Sequence, residues 1–138
     1  MRLRKSAKED LIKGVPLFSH TNKKELAALA AEADELTLPA GKELTRQGER
    51  GREFMVIVDG GAKVEKDGKL VNELGPSDFI GEIALLSDVP RTATVTTTAE
   101  TTVLVLTDRA FKRVADRIPS VHESLIAALT ARLQDDSL

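Results

Sequence analysis

Three residues in the middle of the chain have the types and spacing to hold an anion: Gly81, Glu82 and Arg91, within GPSDFIGEIALLSDVPRTATV, residues 75–95. Residues 82–86 read as a single helical turn, too short to stand alone given the cost of nucleation and therefore held by its surroundings. A short helix set between strands leaves N–H groups at its start without intrahelical partners. Together with the positive end of the helix dipole, these favour an anion, and Gly81 just before them lets the backbone approach closely. Phosphate is the obvious candidate. Arg91 lies beyond Pro90, whose ring fixes the local backbone, and its planar fork suits two phosphate oxygens once it swings back over the helix start. Glu82 would repel a phosphate, so its role is different: a carboxylate accepts from a sugar hydroxyl, as it does from ribose in dinucleotide-binding folds. Taken singly, each residue has a plainer reading, Glu82 as a first-turn acid favoured by the dipole and Arg91 as a solvated or ion-paired surface residue. Their occurrence with Gly81, Pro90 and Thr92 in one cassette removes the advantage of that reading.

The elements around the cassette change period twice along the chain. Residues 8–14 have short helical character that ends at Gly14, two residues before Pro16. A second helix starts at Asn22, where Asn-x-x-Glu with Glu25 makes a capping-box-like opening, and Leu26, Leu29, Ala30 and Ala33 form one apolar face ending near Asp34. From Leu36 the pattern turns to short alternating or apolar runs divided by Gly, Pro, Asn or Asp. The strands predicted are residues 36–38, 43–46, 54–58, 62–66, 70–74, 93–98 and 102–106. Such regularly spaced short strands argue for a closed all-β sandwich or barrel. Asp67-Gly68 suits a tight hairpin, and Asp59-Gly60-Gly61 allows positive φ. After Thr107 the helical period returns, with Asp108 as the expected N-cap and Phe111, Val114 and Ala115 as the buried face, until Pro119. The last helix opens on Ser120 and Glu123 as a capping box and carries Val121, Leu125, Leu129 and Leu133 in one stripe.

Composition narrows the function classes. The 138 residues are 41% hydrophobic and 30% charged, enough for one core, so a single domain over residues 1–138 is expected: an N-terminal helical region (residues 1–35), a β region (36–107) and C-terminal helices (108–138). A net charge of −2 with scattered cations gives no basic face for direct nucleic-acid binding. The absence of cysteine removes disulfides, thiolate metal sites and a thiol nucleophile, and points to the cytoplasm. No apolar run approaches the roughly 18 residues that span a bilayer, and the basic residues 1–8 are followed by Glu9-Asp10 and not by an apolar signal core, so no membrane insertion is expected. Trp and Tyr are absent, which disfavours a sheet of stacking aromatics for RNA. His20 and His122 accompany no clustered nucleophile or ligand set, so neither a catalytic nor a metal site is expected and the chain reads as no enzyme.

At the cassette the sequence becomes specific. GEIALL (residues 81–86) followed by PRTATV (90–95) resembles the phosphate-binding cassette of cyclic nucleotide-binding domains, found in protein kinase A regulatory subunits, nucleotide-gated channels and bacterial cyclic-AMP receptor proteins. The resemblance extends over FMVIVDGGAKVEKDG (54–68), LGPSDFIGE (74–82) and LTDRAFKRV (106–114), and the spacing from Glu82 to Arg91 matches the family pattern. It implies an α+β, mainly β fold: an antiparallel, jelly-roll-like β-roll with N-terminal helices, a short cassette helix and C-terminal helices. It also implies that Glu82 accepts from the ribose 2′-OH and that Arg91 pairs with the cyclic phosphate. Gly81, Ile83, Ala84 and Thr92 line the sugar and phosphate, with the Thr92 hydroxyl an added donor, and Ala93 keeps the strand entrance narrow. The ligand implied is cyclic AMP by family frequency. Thr92 keeps cyclic GMP as the alternative, since a hydroxyl there can reach the guanine amino group; a β-branched residue entering a strand explains it equally. No other cofactor is implied.

Two departures from the family pattern fall at the base end. Ile80, with Phe79 one earlier, stands where an aromatic often precedes the cassette glycine, and Met55 stands where the strand often has an aromatic. Base capping is then expected from an aliphatic residue of the last helix, Leu125, Leu129 or Leu133. The resemblance further implies a regulatory domain that passes occupancy to its C-terminal helices, with an unnamed effector domain or partner. A ligand-independent interaction module of the same fold would have lost Glu82 or Arg91, and both are present.

Overall fold

Threonine and branched aliphatic residues crowd the stretch from residue 34 to 107, where they fit a pleated surface better than a helix. The computed structural model describes residues 3–136, with side chains through Ala131, and resolves eight strands in residues 34–108, one of two compact units. They are β1 (Asp34–Leu38), β2 (Glu43–Thr45), β3 (Glu53–Asp59), β4 (Ala62–Lys66), β5 (Lys69–Leu74), β6 (Phe79–Ile80), β7 (Thr94–Thr97) and β8 (Thr101–Thr107). One sheet has the order β1-β8-β3-β6 and the other β2-β7-β4-β5, with every pairing antiparallel. Chain neighbours often lie in different sheets, as in a jelly-roll-like β-roll.

The apolar runs sit where the pattern demands. Phe54, Met55, Val56 and Ile57 are all buried, and β3 is interior to its sheet. Ile57, Ala62, Ile80, Val95 and Val103 form the core of this unit. Each large aliphatic among them contributes about 1.5–3 kcal/mol by leaving water. The β4–β5 hairpin turns on Asp67 (φ 53°) and Gly68 (φ 78°), the two left-handed residues that match the strand twist. Gln47 clamps this turn: its Nε2 donates to Asp67 Oδ1 and its Oε1 accepts from the Asp67 N–H, both at 2.9 Å.

The second unit is helical: α1 (Lys5–Lys13), a 3₁₀ turn at Pro16–Phe18, α2 (Lys23–Glu32), α3 (Asp108–Arg117), which belongs to this unit from Arg109 onward, and α4 (Ser120–Asp136). The capping box at Asn22 forms, Asn22 Oδ1 accepting from the Glu25 N–H at 2.8 Å and Glu25 Oε1 from the Asn22 N–H at 2.9 Å. The Glu25 carboxylate, fully buried, also accepts from Ser120 Oγ and Ser124 Oγ at 2.8 Å each, tying α2 to the start of α4. Burial pushes its pKa up, yet the Asn22 N–H, the two serine hydroxyls and the charge of Lys13 outweigh that and hold it below the ordinary carboxylate value.

Several local expectations are adjusted. The first helix begins at Lys5, three residues before the position the periodicity indicates, and β6 is an additional two-residue strand. Helix α3 is assigned from Asp108, whose N–H donates to Arg52 O at 2.8 Å. The Ser120 hydroxyl donates to Glu25 across 95 residues of sequence, a use that a local capping box does not anticipate. Of the apolar stripe on α4, Val121 and Leu125 are fully buried and Leu129 is half-buried; the side chain of Leu133 lies outside the described residues, as do Met1 and Arg2 of the basic N-terminal run.

Candidate ligand-binding site

Between β6 and β7 the chain leaves the sheet and forms the cassette. Gly81 adopts a left-handed conformation (φ 77°, ψ 28°), which turns the chain out of β6 at a cost only glycine avoids. A 3₁₀ turn, Glu82–Leu85, follows, one residue shorter than expected and tighter, so that the Ala84 N–H is already taken by Gly81 O at 3.1 Å. Leu85 is buried and anchors the turn, leaving Ile83, Leu86 and Val89 exposed.

The cassette bounds two concavities that share Gly81, Arg91 and Thr92. One, of about 310 Å³, is lined by Glu82, Ile83, Ala84, Val89 and Pro90 besides the shared three. The other, of about 210 Å³, is walled mainly by apolar side chains, among them Val64, Leu74, Phe79, Ile80 and Val95, with Thr45 and Ala93 at its edge. All seven residues singled out from the sequence, Gly81, Glu82, Ile83, Ala84, Arg91, Thr92 and Ala93, therefore line one or both.

Arg91 is the centre of the arrangement. Its side chain is only 10% exposed, and its Nη2 donates to the backbone oxygen of Glu53 at 2.6 Å, with the Glu53 carboxylate at 3.7 Å. The guanidinium thus lies beside Gly81, as the expected swing back requires, but its hydrogen bond runs to β3. Arg91 Nε is buried and has no hydrogen-bond partner among the described residues. Burial lowers the Arg91 pKa, while the carboxylates of Glu53 and Glu82 pull it back up, so the group stays a cation with less than its full complement of partners.

A second segment, residues 47–53, frames Arg91, and sequence reasoning overlooks it. The Gly48 N–H donates to Arg91 O at 2.8 Å and the Arg91 N–H to Glu49 O at 2.9 Å, while Arg50 bridges Pro90. Further along, the Gln47 N–H donates to Thr94 Oγ1 at 3.0 Å and Thr45 Oγ1 to Ala93 O at 3.0 Å. The one local signal was the pair of glycines in QGERG, residues 47–51, which reads only as a turn. Elsewhere, His20 meets Ser19 Oγ at 3.1 Å and His122 packs edge-on against Phe111 at 5.7 Å between ring centroids. Among the described residues no group of metal-ligating side chains occurs and no helix is long and apolar enough to cross a membrane.

The family model for the cyclic nucleotide-binding domain matches residues 35–117. The cAMP-dependent protein kinase regulatory subunit of Mycosarcoma maydis is 33% identical over 129 residues, covering 87% of this chain and 25% of that protein. This chain spans between 24% and 36% of the length of the first four curated relatives, all such subunits. Among solved structures, the N-terminal domain of a transcriptional regulator from Streptomyces coelicolor superposes with a TM-score of 0.83 at 29% identity, covering 93% of each chain. The regulatory domain of Toxoplasma gondii PKA, crystallised with cAMP, gives a TM-score of 0.73 at 29% identity over 80% of this chain and 44% of that one.

Proposed function

This chain belongs to the cyclic nucleotide-binding domain family, and on that premise we propose that it is a regulatory domain whose own ligand is cyclic AMP, held by the seven cassette residues. The observation that carries the reading is the buried Arg91 Nε without a partner, in a cationic side chain walled by glycine and facing a concavity large enough for a small ligand. A cyclic phosphate in that concavity supplies the charge that burial makes expensive to leave unpaired, to a guanidinium with less than its full complement of partners. Glu82, within electrostatic reach of Arg91, takes the ribose hydroxyl, a donor that a carboxylate prefers to a phosphate. The apolar concavity next to it, walled by Val64, Leu74 and Phe79, takes the purine.

Cyclic AMP is favoured over cyclic GMP by the cAMP named in the relatives; the exposed Thr92 keeps cyclic GMP as the second reading. Occupancy is passed on through the helices from Asp108 onward, and the site regulates without itself catalysing. One domain over residues 1–138, acting in the cytoplasm on a separate effector, completes the proposal. Calorimetric titration with cyclic AMP, cyclic GMP and linear 5′-AMP tests it: heat with a cyclic nucleotide and little with the linear one is expected, and no heat with either cyclic nucleotide discards it. Amide exchange with and without nucleotide tests the transmission, which unchanged protection over residues 120–133 would rule out.

A further inference from the structure

We infer that Gly51 is a positioning residue for the ligand: it leaves the slot through which the Arg91 side chain reaches its place, and it acts on the ligand only through Arg91. The inference rests on the cyclic-nucleotide reading for its ligand but on independent geometry for the slot. A Cβ built on Gly51 overlaps Arg91 Nε and Cζ, and one built on Gly81 overlaps Arg91 Nη1. The guanidinium is therefore held between two glycine backbones, one from the loop before β3 and one from the cassette.

The two glycines are required for different reasons. Gly81 has positive φ and would be strained by any side chain. Gly51 lies outside the left-handed region, so alanine suits its backbone, and the side chain it would meet is that of Arg91. The atoms in the way are the far end of a flexible side chain. An alanine at 51 is thus accommodated by moving the guanidinium, not by distorting the fold. The backbone of Arg91 stays pinned by Gly48 N–H and Glu49 O, so the displacement is confined to the side chain, which loses Glu53 O and its place beside Gly81.

The test combines one ligand measurement with one that needs no ligand. In ¹⁵N spectra, the Arg91 Nε–H signal is identified by its loss in Arg91→Ala. Because that N–H is buried, it is expected as a slowly exchanging signal apart from those of the exposed arginines. Gly51→Ala is expected to move it among them and speed its exchange; an unchanged signal overturns the slot. In calorimetry with cyclic AMP, Gly51→Ala is expected to weaken binding about 10- to 100-fold, the scale of one charged hydrogen bond. Adding it to Arg91→Ala is expected to cost nothing more, because the two act through one group. Wild-type affinity in Gly51→Ala, or additive losses in the double variant, overturns the positioning role. Gly68→Ala, which strains a left-handed turn with nothing within 4 Å of its Cβ, is the control for backbone effects and should keep the wild-type affinity. Should the wild type give no heat with any cyclic nucleotide, the functional reading fails, and the Nε–H signal still decides the slot.

Discussion

Replacing Arg91 with alanine separates ligand binding from folding, and the structure sets the size of both effects. In the free protein the guanidinium makes one short charged hydrogen bond, Nη2 to Glu53 O at 2.6 Å, with a loose carboxylate at 3.7 Å and a buried Nε left over. A charged hydrogen bond contributes about 1.5–3 kcal/mol. Removing a cation from water costs several kcal/mol, so its deletion also relieves a penalty of similar size. The two cancel to within about 1 kcal/mol, and the melting temperature of free Arg91→Ala should lie within about 5 °C of the wild type. With nucleotide present the balance differs. Truncating one side of a buried charge pair costs about 2–5 kcal/mol, or about thirtyfold to several thousandfold in affinity. At a concentration of about 100 times its wild-type dissociation constant, ligand adds roughly 2.7 kcal/mol to wild-type stability and almost nothing to the variant. Paired melting and calorimetry on wild type, Arg91→Ala and Arg91→Lys provide the assay. Lysine keeps the charge but not the fork and should fall between the two. A variant that melts far below the wild type yet retains nucleotide affinity would refute the reasoning, because Arg91 would then be a structural ion pair and not a ligand group.

Other perturbations address the scaffold. Glu25 has a folded pKa held below its unfolded value, so the stability it provides is complete above about pH 4.3 and is lost as pH falls through the lower folded value. Melting temperature measured from pH 7 to pH 3 should drop in that window, and Glu25→Gln should flatten the drop while lowering stability at pH 7 by about 1–3 kcal/mol. Gly68→Ala forces a side chain into a left-handed turn and should cost about 1–2 kcal/mol in denaturant unfolding. Leu104→Ala, at a fully buried position of β8, should cost about 2–5 kcal/mol in the same experiment.

What was legible in the sequence is what depends on neighbours in the sequence. Asn22 and Glu25 are three residues apart and cap one another; Asp67 and Gly68 are adjacent and make their turn alone; the cassette from Gly81 to Ala93 is one continuous segment. The rest depends on pairs that only the fold brings together. Glu25 serves Ser120 and Ser124, roughly a hundred residues on, and a capping motif cannot announce that second use of its carboxylate. β6 has two residues, too few to show a period, and exists because Met55 and Val56 present a free edge to it. The third case is Gly51, which by type signals a turn; its need for glycine comes from an arginine 40 positions away.

The same distinction explains why the site is built in two halves. A cassette alone could place Arg91 near the 3₁₀ turn, but an arginine has several rotatable bonds, and ordering them on binding would draw on the affinity. Residues 48–53 remove that cost beforehand: two backbone hydrogen bonds fix where the side chain starts, Gly51 opens the route and Glu53 O fixes where it ends. What they leave open is as significant as what they fix. Were the guanidinium fully partnered by protein, an incoming anion would have to break bonds worth as much as those it makes. On the proposed reading, with Nε unpaired among the described residues and the Glu53 carboxylate at 3.7 Å, a phosphate would add bonds to a guanidinium already in position. On that reading, an arginine held in place yet under-satisfied is the form in which this site would store affinity for phosphate.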